Sequence, residues 1–188
     1  MSRALPYNGH APLDVGMSLE IGIAKNPFFG FYQDVRAYPV TTANGEVQVR
    51  AIKFLTSVRD GTINCAVLPQ IAAEVAEHYL ILCRELIMEE VRQELVPKAP
   101  SRQYCLWLAD TLDEAQRWRT RLGGSGQIAQ LSVTGTIHRT DAAHLLGDSE
   151  PLTETYKRAR AYWRGDKSSQ PELETLFSGT ATVVDLLI

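Results

Sequence analysis

The chain is poor in the features that mark the most easily recognised protein classes. It holds only three cysteines in 188 residues. Cys65, Cys83 and Cys105 are odd in number, far apart and set among apolar neighbours, which argues against a disulfide framework and suits reduced thiols in a cytosol. No window approaches the roughly 18 apolar residues of a membrane span, and the opening MSRALPYNGHAPLDVG has no apolar core of a secretion signal. A cytoplasmic chain with no membrane is therefore expected. Basic charge is not in excess either. The net charge is −3 with 22% charged residues, so no basic field draws in phosphates and no nucleic-acid partner is expected.

Motifs that announce a chemistry are missing as well. There is no phosphate loop of the GxxxxGKS type, no GxSxG elbow, no HExxH and no cysteine pair at metal spacing. Gly123-Gly124-Ser125-Gly126 follows a helical stretch, whereas a phosphate loop precedes one, so it reads as a helix stop and a turn. His78, His138 and His144 fall in separate elements, and no metal site is assigned to them.

What is present is apolar material, 45% of the residues. That suffices for one core, and a single domain over residues 1–188 is the simplest division. Asn8-Gly9 and Asn44-Gly45 favour tight turns, because these residues tolerate positive φ. His10 directly follows the first turn, and an extended piece over 17–23 comes next. The second turn leads into the alternating Val47, Val49 and Ala51 of a hairpin. Phe28, Phe29, Phe31, Tyr32 and Tyr38 suit packing rather than base stacking, since no basic residues interleave with them. Residues 56–69 are weakly patterned and predict a loop.

The strongest periodicity spans 70–95. Ile71, Val75, Tyr79, Leu82 and Leu86 recur at helical spacing, and the helix should stop before Pro97. Glu85, Glu89 and Arg92 are spaced as solvated surface ion pairs of little energetic weight. QYCLWLA, 103–109, predicts a strand covered on both faces. Asp110 or Thr111 caps a following helix, with Glu114 near its positive end. A strand over 128–133, a turn or bulge at Gly135 and a short helix opened by Thr140 or Asp141 come next. A helix over 152–163, a polar loop and a β-branched strand over 180–184 close the chain. This succession predicts an α+β domain, a twisted sheet with helices packed on it.

Several polar residues adjoin the apolar strands. Ser101 and Arg102 stand at the mouth of QYCLWLA, and a guanidinium there is suited to a bidentate grip on phosphate or carboxylate. Glu174 introduces the last strand. Tyr162-Trp163 beside Arg164 offer an aromatic shelf for a planar ring.

The stretch RELIMEEVRQELVPKAPSRQYCLWLADTLDEAQRW, then a strand and Asp141, then ARAYWRG and ELETLFSGTATV, resemble a small bacterial family of unknown function with an ADP-ribosyltransferase-like fold. The opening LDVGMSLEIG fits the same family, and residues 84–118 carry the most specific part. The resemblance implies a mixed or antiparallel sheet split around a cleft for NAD. His10 would hold the nucleotide, Ser101 with Arg102 and Tyr104 would shape the nicotinamide pocket, and Glu174 would stabilise the ribose cation as nicotinamide leaves. The departures are specific: no His-Gly or strand-arginine motif opens the chain, and no Ser-Thr-Ser or Tyr-x-Ser motif is evident. Glu172 and Glu174 are spaced as an ExE pair would be.

Two functions follow. In the first, the chain is an NAD-dependent ADP-ribosyltransferase of bacterial or phage origin acting on a protein target. Tyr162 and Trp163 then stack a ring, Arg102 binds pyrophosphate and Glu174 carries the charge stabilisation. In the second, the chain is a catalytically inert domain of the same fold, a protein-binding or accessory module. Arg102, Glu85 and Glu174 then form an internal ion-pair network, and Tyr162 and Trp163 are packing.

Overall fold

The computed structural model describes residues 2–4 by backbone alone and residues 12–25, 34–145 and 148–187 in full; His10, the Asn8-Gly9 turn and Phe28, Phe29, Phe31 and Tyr32 lie outside the described residues. The elements begin with β1 (Ser2–Ala4), β2 (Ser18–Ile21), β3 (Ala37–Thr42), β4 (Gly45–Arg50), α1 (Ala51–Arg59) and α2 (Leu68–Leu95). They continue with β5 (Leu106–Ala109), α3 (Leu112–Arg121), β6 (Ala129–Asp141), α4 (Leu152–Arg164) and β7 (Leu173–Leu186). The architecture is α+β, and every strand pairing among the described residues is antiparallel. The chain divides into two compact units. One comprises Met1–Phe29, Arg84–Leu146 and Glu150–Ile188, the other Gly30–Cys83 with Gly147–Ser149.

The larger unit is built on a five-stranded sheet in the order β2-β7-β5-β1-β6, and β6 pairs again with β7 from end to end. Alternation along the strands sorts the side chains, because successive residues point to opposite faces. Leu106, Leu108, Phe177, Ala181 and Val183 join Leu13, Leu19, Ile21 and Leu131 in one core. Cys105, Trp107 and Leu176 point the other way, onto Met88 and Val91 of α2 and Ala159, Tyr162 and Trp163 of α4. Glu174 stands two residues before Leu176 and so shares the face that α2 and α4 cover. This placement makes the polar centre described below.

Thr111 caps α3 with a reciprocal pair of bonds. Its hydroxyl accepts from the Glu114 N–H at 3.2 Å, and Glu114 accepts from the Thr111 N–H at 3.2 Å. That satisfies two donors the first turn would otherwise leave open.

Gly135 does not end a strand. It lies opposite Gly179 in the β6–β7 ladder, with φ of 157° and 137° at the two glycines. A Cβ on Gly135 would stand 2.1 Å from the Ser178 carbonyl oxygen, and one on Gly179 would stand 2.3 Å from that of Thr134. The pair lets two backbones approach where no side chain fits.

Other elements also depart from sequence expectation. Part of the expected loop over 56–69 belongs to α1, whose Ala51 and Phe54 are buried three residues apart. The QYCLWLA strand begins only at Leu106, since residues 102–104 form a turn closed by the Tyr104 N–H on the Ser101 carbonyl at 3.0 Å. β7 starts seven residues before the expected β-branched run. The buried face of α2 runs through Val75, His78, Glu85, Met88 and Val91, while Tyr79 and Leu86 are 44% and 66% exposed. The periodicity located the helix but not its inward face.

In the smaller unit, β3 and β4 form a hairpin with Thr42 opposite Gly45, leaving Ala43-Asn44 as the two-residue turn. The Tyr38 and Phe54 rings meet at 5.1 Å. Among the described residues, no helix is long and apolar enough to cross a membrane.

Candidate functional site

The polar centre of the larger unit is assembled by four elements. Arg102 enters from the turn before β5, Glu85 from α2, Tyr162 from α4 and Glu174 from the start of β7. All four are at most 7% exposed. Arg102 Nε and Nη2 donate to the two oxygens of Glu85 at 2.9 and 3.3 Å. Its Nη1 donates to Glu174 Oε1 at 2.6 Å and to the Tyr162 hydroxyl at 2.5 Å. Tyr162 in turn donates to the same Glu174 oxygen. The guanidinium plane is covered as well, with its carbon 5.1 Å from the Tyr162 ring centre and 5.6 Å from that of Trp107. Arg84 adds a second cation to Glu85, at 3.1 Å.

These contacts set the protonation states. Burial pushes the Glu85 carboxyl up, but Arg102 and Arg84 outweigh it and hold the group below its ordinary value. Burial opposes the Arg102 charge, yet Glu85, Tyr162 and Glu174 hold its pKa well above the usual arginine value. Burial, with Glu174 beside it, pushes the Tyr162 phenol far up, so it is a neutral donor. Burial likewise raises Cys105, which stays a thiol.

A second cluster ties the turn before β5 to α2. Arg92 grips both oxygens of Glu89 at 2.9 and 2.7 Å and donates to the carbonyls of Pro97 and Ala99 at 2.7 and 3.0 Å. The Ser101 hydroxyl donates to Glu89 at 2.7 Å. Glu85 and Glu89 are thus anchors for the turn that carries Arg102. Their expected role as solvated surface pairs is corrected, because the inward face of the helix passes through Glu85 and beside Glu89.

The structure therefore brings Arg102, Tyr162 and Glu174 into one network, with Ser101 in the adjoining cluster. Tyr104 sits half-buried in the turn. Trp163 is 1% exposed, donates its indole N–H to the Met88 carbonyl at 2.7 Å and packs against the Tyr162 and His138 rings. Neither Tyr162 nor Trp163 turns an open ring face to solvent. His10 lies outside the described residues.

Glu174 keeps one opening. Its Oε2 has no hydrogen bond among the described residues, and the residue lines a crevice of about 100 Å³ with Leu108, Asp110, Thr140, Lys167 and Thr175. Among the described residues, no group of three His, Cys, Asp or Glu side chains is placed to hold a metal ion.

Sequence reasoning named Asp141 as a cap but missed its full role. The side chain is buried and accepts from the N–H groups of Ala143 at 3.0 Å, Glu172 at 2.8 Å and Ser168 at 2.7 Å. Burial pushes its carboxyl up, but the three backbone donors outweigh burial and hold it below the usual range. A carboxylate at the end of a strand, followed some thirty residues later by a polar loop, carries no local sign of this convergence. Asp141→Asn is expected to lower the urea midpoint at neutral pH. A depressed folded-state pKa gives stability above the unfolded value of about 3.9 and loses it as pH falls through the folded value. The gap between wild type and variant should close below that pH, and a gap constant down to pH 2 would rule out the charged acceptor.

The fold and its centre define an α+β domain in which a buried arginine–carboxylate network ties α2, the turn before β5, α4 and β7 together. The chain belongs to the family described as a protein of unknown function (DUF2441), whose model matches residues 8–187. No curated protein matches the chain.

Proposed function

We propose that this chain is a catalytically inert, cytoplasmic domain on an ADP-ribosyltransferase-like scaffold, acting as a protein-binding or accessory module. The observation that carries this reading is the saturation of Arg102. Each guanidinium nitrogen is bonded within the protein, to Glu85, Glu174 and Tyr162. A guanidinium so occupied has no fork left for a pyrophosphate. Tyr162 and Trp163, at 0% and 1% exposure, have no face left for a base.

A transferase draws support from one point, the opening of Glu174 onto the crevice, since a carboxylate beside a reacting ribose needs such access. A thermal-shift titration with NAD, with nicotinamide release followed in the same tube, separates the two. The inert module shows neither a shift nor release. Binding at 100 times the dissociation constant would add about 2.7 kcal/mol and be readily seen. A shift with release, abolished by Glu174→Gln in a folded variant, would establish the transferase instead.

A further inference from the structure

We propose that the groove between α3 and the start of β7 docks a partner protein through an acidic side chain set beside an apolar one; this rests on the protein-binding reading above. The groove holds about 260 Å³ and is lined by one face of α3 and by Pro171, Glu172 and Leu173. Glu114, Arg117, Trp118 and Arg121 stand three or four residues apart and so share that face.

The charges of the groove are paired within the protein except for one. Arg121 Nη1 holds Glu172 at 2.5 Å. Glu114 is committed to the start of its own helix, where its Oε2 accepts from the N–H groups of Asp110 and Thr111 at 3.1 and 3.2 Å. Arg117 is exposed and makes no ion pair among the described residues. Neither Asp113 nor Glu114, four and three residues before it, pairs with it, although both have helical pairing distance in sequence. The cap that opens α3 thus takes the carboxylate that would otherwise neutralise Arg117. What the groove lacks is one negative charge, and a guanidinium takes a carboxylate through two parallel N–H bonds. A single carboxylate balances the lining, whereas a phosphate dianion would crowd Glu114 and Glu172 with nothing left to offset it.

The rest of the lining is apolar and open. Trp118 is half-buried, and its indole N–H reaches the Leu173 carbonyl at 3.5 Å. The Arg121 guanidinium lies 5.2 Å from its ring centre. Pro171 is exposed and Leu173 is 42% exposed. Tryptophan and arginine side by side are the residue types that dominate interface centres. The volume is below the roughly 300 Å³ at which pockets for whole small molecules begin, and suits one or two side chains of a docked segment.

The experiment is an NMR titration of the isotope-labelled full chain with the blocked tripeptide acetyl-Leu-Glu-Leu-amide, following the Arg117 and Leu173 amides and the Trp118 indole N–H. Saturable shifts are expected, with about threefold weaker binding of the glutamine analogue, the order an exposed ion pair gives. The alanine-flanked peptide acetyl-Ala-Glu-Ala-amide should also bind more weakly. Arg117→Glu, an exposed change that leaves the core untouched, should reverse the order, so that acetyl-Leu-Lys-Leu-amide binds more tightly than the glutamate peptide. No saturable shift, equal binding of the glutamate and glutamine peptides, or an unreversed order in Arg117→Glu overturns the proposal. Tighter binding of inorganic phosphate or adenosine monophosphate than of the peptide also overturns it, by making the groove an anion or nucleotide site. NAD added to the same sample separates the failures. Silence with both ligands removes only the groove, whereas NAD shifts at the Tyr162 and Glu174 amides with peptide binding retained remove the inert reading and leave the groove standing.

Discussion

Replacing Arg102 by alanine should lower stability by about 3–5 kcal/mol, because the change leaves Glu174 buried without its cation and Glu85 with Arg84 alone. The loss should appear as a fall in the urea midpoint of the full chain followed by tryptophan fluorescence, since Trp107 and Trp163 flank the network. Arg102→Lys should recover little, as an ammonium cannot bridge Glu85 through two nitrogens while reaching Glu174 and Tyr162 with a third. The triple variant Glu85→Gln, Arg102→Met, Glu174→Gln should recover much of the loss. With the three charges removed together, no carboxylate is left buried without its cation, which is the source of most of the loss in the single variant. A loss for Arg102→Ala below about 1 kcal/mol, the range of exposed pairs, would sink the network as a tie between helices and sheet.

Gly179→Ala should cost on the order of 3 kcal/mol or more, for two reasons that add. At φ 137° an L side chain is strained, and the new Cβ would lie 2.3 Å from the Thr134 carbonyl oxygen and 2.7 Å from the Gly135 Cα. Backbone cannot step aside as the end of a flexible side chain can. Gly135→Ala meets the mirror of this clash, 2.1 Å from the Ser178 carbonyl. The double variant should cost less than the sum of the two singles, because the first forces apart the strands that the second would also separate. Gly124→Ala is the control for strain alone. It has φ of 75° but nothing within 4 Å of its Cβ, so its cost should be clearly smaller. Denaturant midpoints of the four variants test this, and a Gly179→Ala loss no larger than that of Gly124→Ala would refute the close approach.

Neighbouring residues suffice to read several parts of this chain. Thr111 and Glu114 three residues apart announce the start of α3, and Pro97 stops α2 within two residues of Leu95, because caps and proline act over a single turn. Asn44-Gly45 places the β3–β4 hairpin to within one residue. The α+β class follows from the order of such local signals. Gly135 is not settled locally: a glycine inside a β-branched run reads equally as a turn or as a close approach, and its partner Gly179, forty-four residues on, distinguishes them.

Arg102, Glu174, Tyr162 and Trp163 stood out in the sequence by type and by their place beside apolar strands. Whether such groups face a ligand or each other is a question about side chains 12 to 72 residues apart. Glu85 shows the limit most sharply. Its spacing to Glu89 and Arg92 is that of a solvated pair, and nothing within one turn of α2 says that its face is the inward one. Packing decides that, because α4 and β7 cover one side of the helix, and a charge on the covered side must find an opposite charge or leave the core. The kinds and order of the elements were thus written in local chemistry that acts over a few residues. The facing of α2, the meeting of the two glycines and the enclosure of Arg102 were settled only when distant strands and helices closed on one another, since burial is a property of the whole fold.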